Sequence, residues 1–308
     1  MYAIETFNLT KKYGEKVVVN NVSLKVKQGS IFGFLGKNGA GKSTLINMIT
    51  GLCIPTSGSF SLNFSDDTGV HNKKNQIPVG VMPDYSSFYD DLTALDHLQY
   101  FSKILNLKES QQDLLSLLQR VGLDEAKHLK VKKFSFGMKK KLGIAQTLLN
   151  NPKVIFLDEP TSGVDANSVL TIHDLIKDIS KQGTTIFLTS HNLDEVEKLC
   201  DEICIMDKGK IQIQGSIEKL KKQSQKNITV TIKFGNTTNQ DQKALQSKLN
   251  SLVSEISWKE REVSFIVSEE LTIPSINRLF TEMNIDVFRI LVNEPSLEEI
   301  FLKTGNRE

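Results

Sequence analysis

One stretch, Gly36-Lys37-Asn38-Gly39-Ala40-Gly41-Lys42-Ser43-Thr44, constrains this chain more than any other. A β-like run from Ile31 to Leu35 leads into it, and Leu45, Met48, Ile49 and Leu52 follow at helical spacing. Strand, glycine-rich turn and helix in that order fill every position of the G-x-x-x-x-G-K-[ST] pattern. The glycines let successive backbone N–H groups turn inward toward a phosphate chain, and the helix N-terminus adds partial positive charge. Lys42 has the stem length to reach β- and γ-phosphates, and Ser43 offers a hydroxyl to Mg²⁺. The stretch therefore points to a bound nucleoside triphosphate.

The 308 residues suffice for one large domain and a small one. A hydrophobic share of 39% and a charged share of 24% fit a globular protein, and a net charge of +2 demands neither nucleic acid nor an anionic surface. No apolar run approaches the ~18–20 residues of a membrane span. The start, Met1 to Glu5, lacks the basic and apolar regions of a signal peptide. The three cysteines, Cys53, Cys200 and Cys204, lack ligand-like spacing. Cys200 and Cys204 read as small buried groups, so a reducing cytoplasm is the expected setting.

Alternating apolar residues predict strands over 2–9 and 16–26, separated by Lys12-Tyr13-Gly14. Further strands are expected at Phe60 to Phe64 and 77–82, with a polar loop over 66–76. From 92 to 149 the periodicity is helical, and Ser110 to Asp113 reads as a capping box. Val154 to Leu157 is a continuous apolar run that suits a parallel strand buried on both faces, and it ends in Asp158 and Glu159. Helix (166–182), strand (184–189), helix (192–200) and strand (202–207) then alternate. Past a polar connector, 221–226, the order β-α-β-β-α-β predicts a small ferredoxin-like domain closed by a helix from 295 to 302.

The carboxyl ends of buried parallel strands are where an open sheet presents its chemistry. Asp158 is placed to hold Mg²⁺ and Glu159 to orient or deprotonate an attacking water. His191 follows a second apolar strand, a position that permits a hydrogen bond to a γ-phosphate or to that water. Tyr13, just before a turn, offers a ring for stacking on an adenine.

Together these residues resemble the nucleotide-binding subunits of ABC transporters. Asp158-Glu159-Pro160-Thr161-Ser162-Gly163-Val164-Asp165 looks like the Walker B motif running into the D-loop. His191 matches the switch histidine and Tyr13 the adenine-stacking aromatic. Phe134 to Lys139 stands where the signature motif belongs, keeping Ser135 and Gly137 but with Phe136 in place of the first glycine. Asp84 occupies the Q-loop glutamine position, which leaves a carboxylate available to a metal there. These departures, and a Pro295-Ser296-Leu297-Glu298 ending, are similar to the exporter branch with ABC-2-type membrane partners.

The resemblance implies an α/β fold: a P-loop NTPase of the ABC ATPase type, with a mixed sheet and a helical insertion, over 1–222. The helical subdomain would span about 85–150, and a small α+β ferredoxin-like accessory domain 223–308. It further implies ATP and Mg²⁺ as cofactors, with Lys42, Glu159 and His191 catalytic and Ser43, Asp158 and Asp84 on the metal. Residues 36–44 and Tyr13 would hold the nucleotide, and Ser135 and Gly137 would reach the γ-phosphate held by a second copy. Partners would be a second ATPase subunit, in a homo- or heterodimer, and an integral membrane permease, at the cytoplasmic face of the membrane. The segment from Asp84 to Leu98, with Tyr85, Phe88, Tyr89 and Leu92, is the expected docking surface.

Lysines 127, 130, 132, 133, 139, 140 and 141 flank the signature with no acidic residue among them. They read either as an anion-attracting surface or as a solvated helix face. Two competing functions differ from export. A non-transport ABC ATPase on ribosome or DNA would carry two fused ATPase domains, a coiled-coil arm or zinc inserts. A P-loop small-molecule kinase would not need residues 134–139 and 158–165 together.

Overall fold

Strand-forming runs that are apolar on every residue must be covered on both faces, and two of them build the centre of this molecule. The computed structural model describes residues 1–63, 79–84, 88–224 and 228–293, together with Leu297. Phe64, the loop 66–76, Tyr85 and most of the expected closing helix lie outside the described residues. The chain divides into two compact units, Met1–Gly215 and Ser216–Glu308.

The first unit opens with β1 (Tyr2–Tyr13), β2 (Lys16–Val22), β3 (Lys25–Lys27) and β4 (Ile31–Leu35), then α1 (Lys42–Ile49), β5 (Ser57–Leu62) and β6 (Val79–Met82). Three helices follow: α2 (Ala94–Ile104), α3 (Gln111–Arg120) and α4 (Phe136–Leu148). After them come β7 (Val154–Asp158), α5 (Ala166–Lys181), β8 (Thr185–Ser190), α6 (Leu193–Leu199), β9 (Glu202–Asp207) and β10 (Lys210–Ser216). One sheet has the order β10-β9-β4-β8-β7-β6, with parallel pairing from β9 through to β6. A second, antiparallel sheet gathers β2, β3 and β5 around β1.

The expected single strand over 16–26 is two, because side-chain hydroxyls interrupt the ladder. Thr6 Oγ1 donates to the Val22 carbonyl (3.0 Å) and accepts from Leu24 N–H (2.9 Å), while Ser23 Oγ accepts from Asn8 N–H (2.8 Å). The helical insertion is as expected. Ser110 and Asp113 form the capping box of α3, and Thr93 with Asp96 forms another on α2.

The second unit contains α7 (Ile217–Ser224), β11 (Ile228–Phe234), α8 (Asn239–Asn250), β12 (Ser254–Lys259), β13 (Glu262–Val267), α9 (Thr272–Glu282) and β14 (Val287–Asn293). Its antiparallel sheet, β12-β13-β11-β14, is the ferredoxin-like arrangement that the element order demands. Residues 221–224 are the last turn of α7 rather than a connector. Leu220, 8% exposed, gives that helix an apolar anchor in an otherwise polar run.

Register fixes the site. Phe32 and Phe156 both pair with Phe187, and the same alignment sets Leu35 beside Ser190 and Asp158 beside Thr189. The Phe187 ring lies 5.4 Å from those of Phe32 and Phe156 and 5.3 Å from that of Phe34. All four rings are fully buried. Phe187→Ala should therefore cost about 3–5 kcal/mol, read from the denaturation midpoint by circular dichroism. A loss below about 1 kcal/mol would mean that the strands do not depend on this ring cluster.

Candidate active site

The loop between β4 and α1 closes on itself before any ligand is considered. Lys42 Nζ donates to the Gly36 carbonyl (2.6 Å) and the Lys37 carbonyl (3.4 Å), and Ala40 N–H reaches Lys37 O (3.0 Å). Gly41 caps α1 at φ +109°, where a Cβ would stand 2.6 Å from the Val18 carbonyl. Only glycine fits there. Asn38, Gly39 and Thr44 complete the loop and the first turn of the helix.

Three adjacent strand ends meet beside this loop. Ser43 Oγ donates to Asp158 Oδ2 across 3.0 Å, which joins the start of α1 to the end of β7. The Thr189 hydroxyl, fully buried at the end of β8, donates to Asp158 Oδ1 and accepts the Glu159 N–H at 3.0 Å. Glu159 sits at φ +51°, a left-handed conformation uncommon outside glycine. Its Oε2 meets His191 Nδ1 at 2.9 Å, and its Oε1 is buried without a hydrogen-bond partner. Such an orphaned acceptor costs about 1–3 kcal/mol and marks a place for a donor such as an attacking water. Burial raises the Glu159 carboxyl above its ordinary 4.5, and the charges of His191 and Lys42 draw it only part of the way back. Ser43, Asp158, Thr189, Glu159 and His191 thus form one hydrogen-bonded cluster, with the Lys42 charge acting on Glu159 from the loop.

Behind it, Glu195 is the anchor of the 158–165 segment. It accepts from Thr161 Oγ1, from Ser190 Oγ (3.3 Å) and, at 2.7 Å, pairs with His173 Nε2. Against its burial, the hydrogen bonds from His173 and Thr161 hold its carboxyl below the ordinary range.

The signature segment lies at the start of α4. Ser135 Oγ accepts from Met138 N–H (3.2 Å) as the helix cap and keeps its own hydrogen to donate outward. Gly137 permits the start of α4 to approach α5, since a Cβ there would stand 2.8 Å from Ser168. Phe136 is 71% exposed. Tyr13 is half-exposed at the end of β1, its hydroxyl tethered to Cys53 Sγ (3.4 Å) and its ring approached by Lys11 Nζ at 4.9 Å.

Asp84 Oδ1 pairs with Lys140 Nζ at 3.3 Å, and the same ammonium reaches the Glu159 carbonyl. Lys140 was one of seven lysines open to reading as a solvated face, yet it is buried. Lys130 and Lys132 are exposed, both bound to Asp91 at 3.4 and 2.8 Å. Sequence reasoning missed Thr189 and the distinct position of Lys140. A polar residue ending an apolar strand was the signal for the first, and nothing local marked the second.

A glycine-rich loop of the phosphate-binding pattern, a strand-end carboxylate pair with a histidine, and a capped signature helix beside one mixed sheet define an ATP-binding cassette. The chain belongs to the ATP-binding subunits of ABC transporters and is an ATPase. Residues 19–162 match the family described as ABC transporter, and 215–304 match the ATP-binding protein DrrA1-3-like C-terminal domain. The chain is 34% identical to the bacitracin transport ATP-binding protein BcrA of Bacillus licheniformis, over 97% of this chain and 96% of that protein. It is 31% identical to the linearmycin resistance ATP-binding protein LnrL of Bacillus subtilis (strain 168), over 99% and 98%. It is also 31% identical to the Nod factor export ATP-binding protein I of Ralstonia nicotianae (strain ATCC BAA-1114 / GMI1000), over 97% and 92%. A nucleotide-free ATP-binding cassette from an ABC transporter superposes with a TM-score of 0.64 at 26% identity, covering 72% of this chain and 94% of that one. The ADP conformation of another such cassette gives 0.62 at 26%, covering 71% and 92%.

Glu159→Gln should lower kcat by about 10²–10⁴-fold while ATP binding persists. In the parent protein the acid limb of kcat should lie above 4.5, because activity is lost as pH falls through the raised Glu159 pKa. Persisting turnover in the variant would remove Glu159 from the reaction.

Proposed function

We propose that the chain energises export through a separate membrane permease, with two ATPase subunits closing around ATP and Mg²⁺. The observation that carries this is the hydrogen-bonded path Ser43–Asp158–Thr189–Glu159–His191 beside the phosphate loop. Among the described residues no group of three or more His, Cys, Asp or Glu converges on a metal site. A Mg²⁺ at Ser43 and Asp158 would therefore draw its other ligands from phosphate oxygens and water, which is its usual preference. These two hard oxygen donors fit it, and when bound it would neutralise charge on the triphosphate. Asp84, engaged by Lys140, is better suited to a positioning role than to the metal.

Glu159 would orient or deprotonate the attacking water, its raised proton affinity suiting a general base. His191 would hold the Glu159 carboxylate and contact the γ-phosphate, and Lys42 would exchange its loop carbonyls for phosphate oxygens. Tyr13 would stack on the base. Ser135 and Gly137 would present their helix end to the γ-phosphate of the other copy, the reason for an ATP-dependent dimer.

No helix among the described residues is long and apolar enough to cross a membrane, and the membrane path is proposed to lie in a separate partner chain. The docking surface proposed for it is the aromatic cluster leading into α2. Tyr89 and Tyr100 meet edge-on with ring centroids 5.0 Å apart, both partly exposed, and Phe88 packs on His97 at 5.3 Å. Fully buried His97 meets Gln146 Oε1 of α4 at 3.0 Å, which links the cluster to the signature helix. Relatives named for bacitracin transport and Nod factor export support an exporter over a ribosome- or DNA-directed ATPase, and the proposed place of work is the inner face of the membrane, beside the permease.

Phe88→Ala with Tyr89→Ala should abolish co-purification with the membrane subunit and cargo export, while ATP binding is retained. Unchanged co-purification would refute this docking surface.

A further inference from the structure

Lysine is almost never buried unless something answers its charge. Lys140, on the second turn of α4, is 8% exposed, and its ammonium makes three contacts. It donates to the Glu159 carbonyl at 2.7 Å, to the Asp84 carbonyl at 3.1 Å and to the Asp84 carboxylate at 3.3 Å. The donors of an ammonium are thereby used in full.

What those contacts join gives the residue its meaning. Asp84 stands just past the end of β6 and begins the proposed docking segment. Glu159 stands just past the end of β7, its backbone at φ +51°. An L-residue holds that conformation only when its surroundings over-determine it. Here Thr189 holds the N–H of Glu159, and Lys140 at 2.7 Å, with Ser162 N–H at 3.3 Å, holds its carbonyl, so the residue is clamped on both sides of its own Cα. That clamp sets the direction in which Cβ leaves the backbone, and the His191 contact holds the carboxylate at the far end.

The geometry points to Lys140 as a positioning residue for ATP hydrolysis: it locks Glu159 in its working conformation and makes that lock depend on Asp84. This rests on Glu159 acting on the attacking water, as proposed above. Lys140 touches no substrate. It converts a displacement of residue 84, or of α4, into a displacement of the catalytic carboxylate. Asp84 supplies the countercharge that keeps the ammonium buried and aimed.

Steady-state ATPase kinetics on the full-length protein test this, with Lys140→Met, Lys140→Arg, Asp84→Asn and Glu159→Gln assayed side by side. Lys140→Met should lower kcat about ten-fold or more while KM for ATP stays within about two-fold, since the loop and Ser43 are untouched. Lys140→Arg, which keeps the charge and the donors, should recover most of the loss. Asp84→Asn should lower kcat less, and the double variant Lys140→Met with Asp84→Asn should be no worse than Lys140→Met alone, because the two act as one unit. Should Lys140→Met fail to fold by circular dichroism, Lys140→Gln is held to the same kcat criterion. An unchanged kcat, a loss appearing only in KM, or additive effects of Lys140 and Asp84 would each overturn the inference. If Glu159→Gln itself keeps turning over, the reading of Glu159 fails instead, and the two failures are told apart.

Discussion

The strand-end cluster of the ATPase unit is joined through one buried hydroxyl. Thr189 ends β8 beside Asp158 and, as donor and acceptor at once, joins the side chain of Asp158 to the backbone of Glu159. Asp158 in turn accepts from Ser43, so the hydroxyl reaches the phosphate loop through one carboxylate. The parallel register makes this possible. With β7 and β8 aligned residue for residue, a threonine at 189 can only lie against Asp158. The Phe187 ring cluster two residues earlier holds that register, which is how apolar packing becomes catalytic geometry.

The site gathers its charges unevenly. Asp158 is answered by two hydroxyls, whereas Glu159 keeps one oxygen paired with His191 and the other buried and unpaired. That asymmetry separates two adjacent carboxylates into different chemistry. Asp158 suits a cation, and Glu159, desolvated and more basic, suits a water. On the far side, Glu195 binds Thr161, His173 and Ser190, so the segment leading from Glu159 to Asp165 is pinned at Thr161.

Much of this was legible because local pattern and tertiary role coincide there. The glycines and Lys42 fill the pattern of a phosphate loop, and an apolar run ending in Asp158 and Glu159 reads as a buried strand, which β7 is. The capping box at Ser110 is written within four residues. What escaped the reading acts across the fold. Thr189 meets Asp158 at a separation of 31 residues and Lys140 meets Asp84 at 56. Lys140 sits in a run of lysines with nothing local to distinguish it, and only the approach of α4 to β6 and β7 buries it. The break at Ser23 was likewise hidden, since hydroxyls replacing ladder bonds leave the apolar alternation intact. In α7 polar composition masked a helix whose buried anchor is Leu220.

The most direct test of the Thr189 junction is the kcat of Thr189→Val, which preserves shape and removes the hydroxyl. The account expects a fall of about ten-fold or more at saturating ATP, with the fold intact by circular dichroism, because Asp158 and the Glu159 amide lose their shared partner together. A Thr189→Val protein that hydrolyses ATP at the parent rate would contradict it.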